Sequence, residues 1–561
     1  EGTVLRWLSH FMTHITEGSF SQRMVSEAAR NLLVERARAW SGFGVQAQDI
    51  GFIIERMGAG PAQALTRNIL AQTPQSLARV AARYLRPNKR VETVLSPRPT
   101  RPAVNGLVAS SRAIAKLPGL DLPGLLKPAN NRPWQWRESG RSDDVHRFDF
   151  DSGLTLLVRH TPSNPLLSAA VHVRGGQWVE DPSKAGIAVL TSQLLTSGTR
   201  HFTGLEWTRL LSRHSLSYST VQPRRGVRSD VDRNVYARDG TNLRMEGVQE
   251  QWRLVLALMG EALFRPVFPE LSVINRKHDQ ITEIETLFED NLEYIKQEFY
   301  PLAFAGHPYG RPTIGTRKTV STIKREHIVK FHALNFRPSR VVLAISANVD
   351  PKRIADFIAV HWSDVSTRPA PRLRTAELKT PPKVKRRRIL DLNRKQRCIN
   401  YGAPTLSIRD QRFLVAQVLF GVVQGRHFFK YVYDRGVSYR AWFKLWPQRG
   451  PSAWIMENDV ATKGFEKTLK GMEQDLREYA QGRFTTKQVI MVRKNMMLDT
   501  ILEAQDPSIM AFELALNEGL GAGYERVTQR VRLLGRVTRD AVNRLARRIF
   551  GNGGIYRLQF R

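Results

Sequence analysis

A short polar start, an amphipathic helical stretch, a Pro or Gly break and an apolar strand follow one another in residues 73–95 (TPQSLARVAARYLRPNKRVETVL). The same succession returns in residues 323–345 (IKREHIVKFHALNFRPSRVVLAI) and 537–560 (VTRDAVNRLARRIFGNGGIYRLQF). Helical periodicity giving way to a strand at three comparable places predicts a duplicated α+β unit in which a late helix feeds a late core strand.

The rest of the pattern fills in around these ends. Alternating apolar positions in HRFDFDSGLTLLVRHT and LLSAAVHVRGGQWVED predict strands opening a unit at about residue 145, followed by helices around 185–197, 204–214, 247–264 and 269–298. A further unit from 385 again starts with strands (RRRILDLNRKQRCINYGAP), passes through helices and holds a strand near 452–461. Residues 1–98 are helical up to the first repeat end, with no room before it for the strands of a full copy, so they are expected to be the C-terminal part of a domain. Residues 99–144, broken by Pro99, Pro102, Pro118, Pro123, Pro128 and Pro133, read as an interdomain linker that Trp134 and Trp136 pin to a domain surface. The expected division is thus 1–98, linker 99–144, 145–367, basic connector 368–384, and 385–561.

Composition narrows the picture. Hydrophobic residues make up 42 % of the chain, with 11 Trp and 25 Phe, enough for real cores and against global disorder. Lys and Arg exceed Asp and Glu by 86 − 51 = 35, a field that favours anionic partners. The basic residues are scattered through helices and loops, which argues against a single nucleic-acid-binding module. Their densest cluster, Lys383 and Lys385 to Arg388, reads equally as a charged strand edge. One cysteine, Cys398, excludes an intrachain disulfide and any cysteine-based zinc site. No apolar run reaches the length of a membrane span, and EGTVLRWLSH lacks the features of a signal peptide, so the sequence reads as processed or truncated. Either a reducing interior or a low-cysteine periplasm fits this cysteine usage, and a bacterial periplasm or mitochondrial matrix is the expected compartment.

Several segments resemble a family. DSGLTLLVRHT…GGQWVEDPSKAGIAVLTSQLLTSGT is similar to the opening of an insulinase/pitrilysin-type zinc metallopeptidase domain. FAGHPYGRPTIGTRKTVSTIKREHIVKFHALNFRPSRVVLAISANVD, with Pro308, Tyr309, Gly310 and Gly315, resembles that family's later H-P-Y-G segment. NRKQRCINYGAP and LFGVVQGRHFFKYVYDRGVSY are similar to its last-domain motifs. The resemblance implies repeated α/β sandwich domains, here two full copies and a partial one.

In that family an H-x-x-E-H helix supplies two imidazole ligands and a general base on zinc-bound water. The matching positions here are Val189, Ser192 and Gln193, none of which does that work. Glu283 and Glu285 fall near the family's downstream metal-binding Glu, and without histidines they read as surface helix acids. His10 and His14 have i, i+4 spacing, but Thr13 holds the base position and the flanks do not match, so ordinary helix histidines are the simpler reading. His327 and His332, five apart, are expected to be structural. The family's last domain also carries an Arg and, seven residues on, a Tyr that bind the substrate carbonyl. Tyr439 matches the tyrosine and Val432 stands at the arginine, with Arg435 and Arg440 flanking as substitutes. A packed core-edge tyrosine is the alternative. Arg426 matches an arginine that is more often structural.

Double-length members of the family close two halves around an unfolded peptide, with zinc in the first domain only. The resemblance therefore implies a non-catalytic, substrate-binding half without a cofactor of its own, with zinc in an N-terminal half or homologous partner subunit and peptide bound by strand addition. A non-enzymatic scaffold or core subunit of a larger assembly is the second reading, which Val432 and the charge of +35 favour. A nucleic-acid-binding adaptor is a weaker third.

Overall fold

The computed structural model describes residues 20–39, 59–85, 131–162, 164–220, 238–287, 291–373, 387–390, 396–438, 440–551 and 554–560, with a few single positions besides. The chain divides into two compact units, Glu1–Lys127 with Thr208–Leu216, and Pro128–Trp207 with Ser217–Arg561. The first contains helices α1 (Gln22–Ala39), α2 (Ala59–Leu70) and α3 (Pro74–Tyr84). Thr73 starts α3 with a reciprocal cap: its side chain accepts from the Ser76 N–H while the Ser76 hydroxyl accepts from the Thr73 N–H. Two otherwise orphaned donors are thereby satisfied. The strand expected at the end of the first repeat, and His10 and His14, lie outside the described residues.

The second unit opens with β1 (Trp136–Ser142), β2 (Val145–Phe150), β3 (Thr155–His160) and β4 (Leu166–Arg174), then helix α4 (Ile187–Leu194), β5 (Ser217–Ser219) and β6 (Gly240–Val248). Helices α5 (Trp252–Phe264), α6 (Glu270–Thr286), α7 (Asn291–Ala303) and α8 (Arg325–Asn335) follow, then β7 (Val341–Ala347) and α9 (Pro351–His361). The second half runs β8 (Arg387–Leu390), β9 (Gln396–Thr405), α10 (Phe413–Phe428), β10 (Ala441–Trp446), β11 (Ser452–Ala461), α11 (Phe465–Ala480), α12 (Thr486–Glu503), α13 (Pro507–Leu520), α14 (Arg539–Gly551) and β12 (Tyr556–Phe560). Residues 136–142, read from sequence as the end of a linker, are instead an edge strand. WRESGRS offers no apolar face, so hydrophobic alternation does not report it.

The repeat seen in sequence is a repeat of topology. The first sheet has the order β1-β2-β3-β7-β4-β6-β5 and the second β10-β11-β9-β12-β8. In each, the strand fed by a repeat helix enters the sheet interior, parallel to one neighbour and antiparallel to the other: β7 between β3 and β4, β12 between β8 and β9. The fold is α+β with a repeated domain, as expected, and the basic residues Arg387 and Arg388 do stand on an edge strand.

Both faces of each sheet are covered, and one cover on each is borrowed. Ile399, Trp454 and Met456 share a core with α10, α11 and α14, whereas the alternate residues Cys398 and Ile455 share one with Ile295, Phe299 and Phe304, from α7 and the turn after it. Reciprocally, Phe512 and Leu516 of α13 pack with Leu157, Ala170, Val342 and Ala344 of the first sheet. The approach of α13 is close. A Cβ at Gly519 would come within 2.1 Å of His172 Cδ2, and His172 is wholly buried on β4 with its ring N–H given to Asn242 Oδ1 at 2.8 Å. Gly519→Ala is therefore expected to destabilise this unit by about 1–3 kcal/mol through overpacking, despite alanine's better helix propensity. Urea unfolding measures it, and an unchanged midpoint would mean that α13 does not lie this close to β4.

Candidate functional site

Helix α4 carries the three positions that match the zinc motif, and its placement starts with a buried acid. Glu180 Oε1 accepts from the N–H groups of Gly186 (3.2 Å) and Ala188 (2.9 Å), holding a carboxyl at the helix N-terminus. Burial pushes its pKa up to about 8, against the opposing pull of those two donors and of Arg311 and Arg238. Gly186 turns into the helix at φ +96°, where an L side chain is strained, and a Cβ there would also strike the Ile314 carbonyl oxygen at 2.6 Å. Gln280 of α6, fully buried, donates to the carbonyls of Gly186 (3.2 Å) and Ile314 (2.8 Å) and ties the same turn from the other side.

On the stripe itself, Val189 is buried, the Ser192 hydroxyl donates to the Val189 carbonyl at 2.8 Å, and Gln193 Oε1 accepts from Arg276 Nε at 2.7 Å. Arg276 comes from α6 and is flanked by Asp279 at 3.5 Å and Glu283 at 3.6 Å. Glu285 is paired with Arg317. A zinc ion needs three or four nitrogen, sulfur or carboxylate ligands at about 2.0–2.3 Å. This stripe offers an alkyl group, a hydroxyl turned onto its own helix and an amide oxygen engaged by a guanidinium. The side chains present do not fit zinc, and the arginine adds a positive charge where the ion would lie. Among the described residues no group of three or more His, Cys, Asp or Glu side chains is gathered for a metal. His327 accepts from the Lys324 N–H at the start of α8, and His332 is buried against the Leu263 carbonyl at 2.9 Å.

The second candidate region follows α10, which continues into a π-helical turn over Phe429–Asp434. Tyr431 there donates to Asp475 Oδ2 at 2.7 Å, and Val432 packs against the core of the second sheet. Arg435 is exposed, its guanidinium carbon 5.4 Å from the centre of the Tyr431 ring. Arg440 instead faces two acids of β11, Glu457 at 3.8 Å and Asp459 at 3.9 Å. The two flanking arginines are thus directed at different partners. Tyr439 lies outside the described residues. Arg426 lies 5.6 Å from the Tyr479 ring centre and 5.7 Å from that of Phe484, a packing role.

Sequence patterning does not find a buried polar seam joining the two halves of this unit. Asp239 accepts from Trp178 Nε1 (2.9 Å), from the Tyr309 hydroxyl and, on its other oxygen, from the Arg449 N–H (3.0 Å). Tyr309 OH in turn accepts from the Gly450 N–H at 2.9 Å. Beside it, Arg238 lies against the face of Tyr300, its guanidinium carbon 3.4 Å from the ring centre, and donates to Gln177 Oε1 and the Tyr309 carbonyl. Of these residues, Tyr309 in the H-P-Y-G motif and Gln177 and Trp178 in GGQWVED lie in segments that carried a signal in the sequence.

With this geometry in hand, the comparisons with known proteins are specific. Residues 322–496 match the family described as the peptidase M16 inactive domain. The chain is 23 % identical over 286 residues to an uncharacterized zinc protease of Mycobacterium leprae, covering 51 % of this chain and 57 % of that one. It is 19 % identical over 230 residues to the mitochondrial-processing peptidase subunit beta of Saccharomyces cerevisiae, covering 39 % and 45 %. In fold it resembles a protease from Helicobacter pylori with a TM-score of 0.67 at 13 % identity, over 74 % of this chain and 99 % of that one. The resemblance to insulinase/pitrilysin-type metallopeptidases is borne out. The chain spans about half the length of the curated relatives it matches. No helix among the described residues is long and apolar enough to cross a membrane.

Proposed function

We propose that this chain is the non-catalytic, substrate-binding half of an insulinase-type zinc metallopeptidase, closing a chamber around an unfolded peptide together with a zinc-bearing N-terminal half or homologous subunit. The observation that carries the reading is the α4 stripe. Its fold keeps the helix and its Glu180 anchor, yet Val189, Ser192 and Gln193 hold no ligand set and Arg276 is bonded across it. The match to the inactive domain supports the same division of labour. In this reading Tyr439 and Arg435 contact the peptide. Arg440, facing Glu457 and Asp459 of β11, holds the segment after the π-helical turn against that strand.

A scaffold role is the second reading, and one observation favours it: Val432, at the family's arginine position, is an alkyl side chain half-buried against the core of the second sheet and offers no donor for a substrate carbonyl. Metal analysis, native mass spectrometry and a peptide-cleavage assay separate the two. The purified chain is expected to hold substoichiometric zinc and to cleave nothing, to form a one-to-one complex with a polypeptide carrying H-x-x-E-H, and to raise that partner's cleavage rate. One zinc per chain would overturn both readings. A complex whose partners lack the zinc motif would select the scaffold.

A further inference from the structure

Residues 131–134, the β2–β3 turn and the segment after α9 surround an open cavity of about 580 Å³, within the size range of small-molecule sites. Three hydrogen bonds fix its walls. The Trp134 backbone N–H donates to the Ala359 carbonyl at 3.0 Å, Asn131 Nδ2 to the Ser363 carbonyl at 3.2 Å, and the Asp151 N–H to the Gln135 carbonyl at 2.9 Å. Trp134 is 5 % exposed and stands edge-on to Phe150 at 6.2 Å between ring centres, so its ring pins the segment to β2.

The indole N–H of that ring is left over. Trp136, two residues on, donates its own to Asp356 Oδ1 at 3.0 Å, whereas Trp134, which lines the cavity, has its Nε1 buried without an acceptor. Two unlike charges line the same cavity, on Arg132 and Asp151. Among the described residues neither has a charged partner within ion-pair distance, and they do not pair with each other. An anion alone would be repelled by Asp151, and a cation alone by Arg132. A group carrying both charges answers both, and its anionic end also gives the buried N–H the acceptor it lacks.

From this we propose that the cavity binds a free α-amino acid. Its carboxylate accepts from the Arg132 guanidinium and the Trp134 indole N–H, and its ammonium donates to the Asp151 carboxylate and the Asn131 amide oxygen. An amino acid built into a peptide has lost one or both of those charges, so the site selects the free molecule. It shares no residue with the α4 stripe or with the region around Arg435. The inference does not rest on the peptidase reading, since nothing in the cavity depends on cleavage elsewhere.

The test is saturation-transfer NMR of the full chain with an equimolar mixture of the twenty common amino acids, followed by calorimetry with the member that responds most. At least one is expected to respond with wild type. Arg132→Gln and Asp151→Asn are each expected to weaken its binding about tenfold. Both positions are exposed, so both variants are expected to melt as wild type does. Trp134→Phe keeps the ring and removes the donor, and is expected to weaken binding by a smaller factor. The N-acetyl and amide derivatives of the same amino acid each keep one charge and are expected to bind at least about tenfold more weakly. No response from any member, or equal affinity in wild type and the two charge variants, overturns the inference. Either derivative binding as tightly as the free amino acid would do the same, by making the ligand a simple ion or a peptide end.

Discussion

Asp239→Ala is expected to cost this unit about 3–5 kcal/mol, a large share of the roughly 5–15 kcal/mol that stabilises a typical domain. The reason is the number of groups that one buried carboxyl satisfies. Removing it strands the Trp178 N–H, the Tyr309 hydroxyl and the Arg449 N–H, and each buried group left unpaired costs on the order of 1–3 kcal/mol. Burial holds the Asp239 carboxyl above the usual carboxylate range, partly opposed by the hydrogen bonds from Tyr309 and Arg449. Tyr309 links to Gly450 as well, so the loss falls on the join between the first half and the β10–β11 turn. Asp239→Asn keeps one acceptor and should lose less. Urea denaturation of both variants, with the wild-type slope as reference, checks the ordering, and an alanine variant within about 1 kcal/mol of wild type would mean that the seam contributes little.

The second large effect is on pH dependence and comes from Glu180. Its carboxyl is raised by burial from the ordinary 4.5 to about 8, so between those values the folded state holds a proton that the unfolded state has released. Stability from this group is therefore greatest below the unfolded value and falls as pH rises through the folded one. The buried histidines His172, His332 and His427, lowered by burial from 6.5 to about 4, work in the opposite sense, raising stability between pH 4 and 6.5. The Glu180 signal is thus read as the difference between wild type and Glu180→Gln, in which the histidine contributions cancel. Between pH 6.5 and 8 wild type is expected to lose about 2 kcal/mol relative to Glu180→Gln, which keeps an acceptor for Gly186 and Ala188. Parallel wild-type and variant curves across that window would place the Glu180 proton elsewhere.

How much of this was legible in the sequence depended on how apolar each element is. Strand β11 is buried from Ser452 to Val460 and was read at its true place, because its first half, Ala453 to Met456, is an apolar run that suits a strand covered on both faces, even though the buried Glu457, Asn458 and Asp459 follow it. Strand β6 was not read: of its inward positions only Leu243 and Met245 are large and apolar, with Thr241 and Gly247 beside them. The helix expected from 247 accordingly begins at Trp252. The zinc-motif positions on α4 were found by their resemblance to a family helix. Arg276, which completes that picture, was invisible, because its contact with Gln193 spans 83 residues and leaves no local pattern. The Asp239 seam and the cavity beside Trp134 share this property, since each is assembled from segments far apart in the chain.

The exchange of α7 and α13 between the two sheets has a bearing on how the molecule can be taken apart. A protease nick in the connector between residues 373 and 387 would sever the polypeptide without releasing either piece, since each would still roof its neighbour. Either piece made alone would present one bare apolar sheet face to water and invite aggregation. Inheritance and engineering therefore handle the pair as a single indivisible cassette.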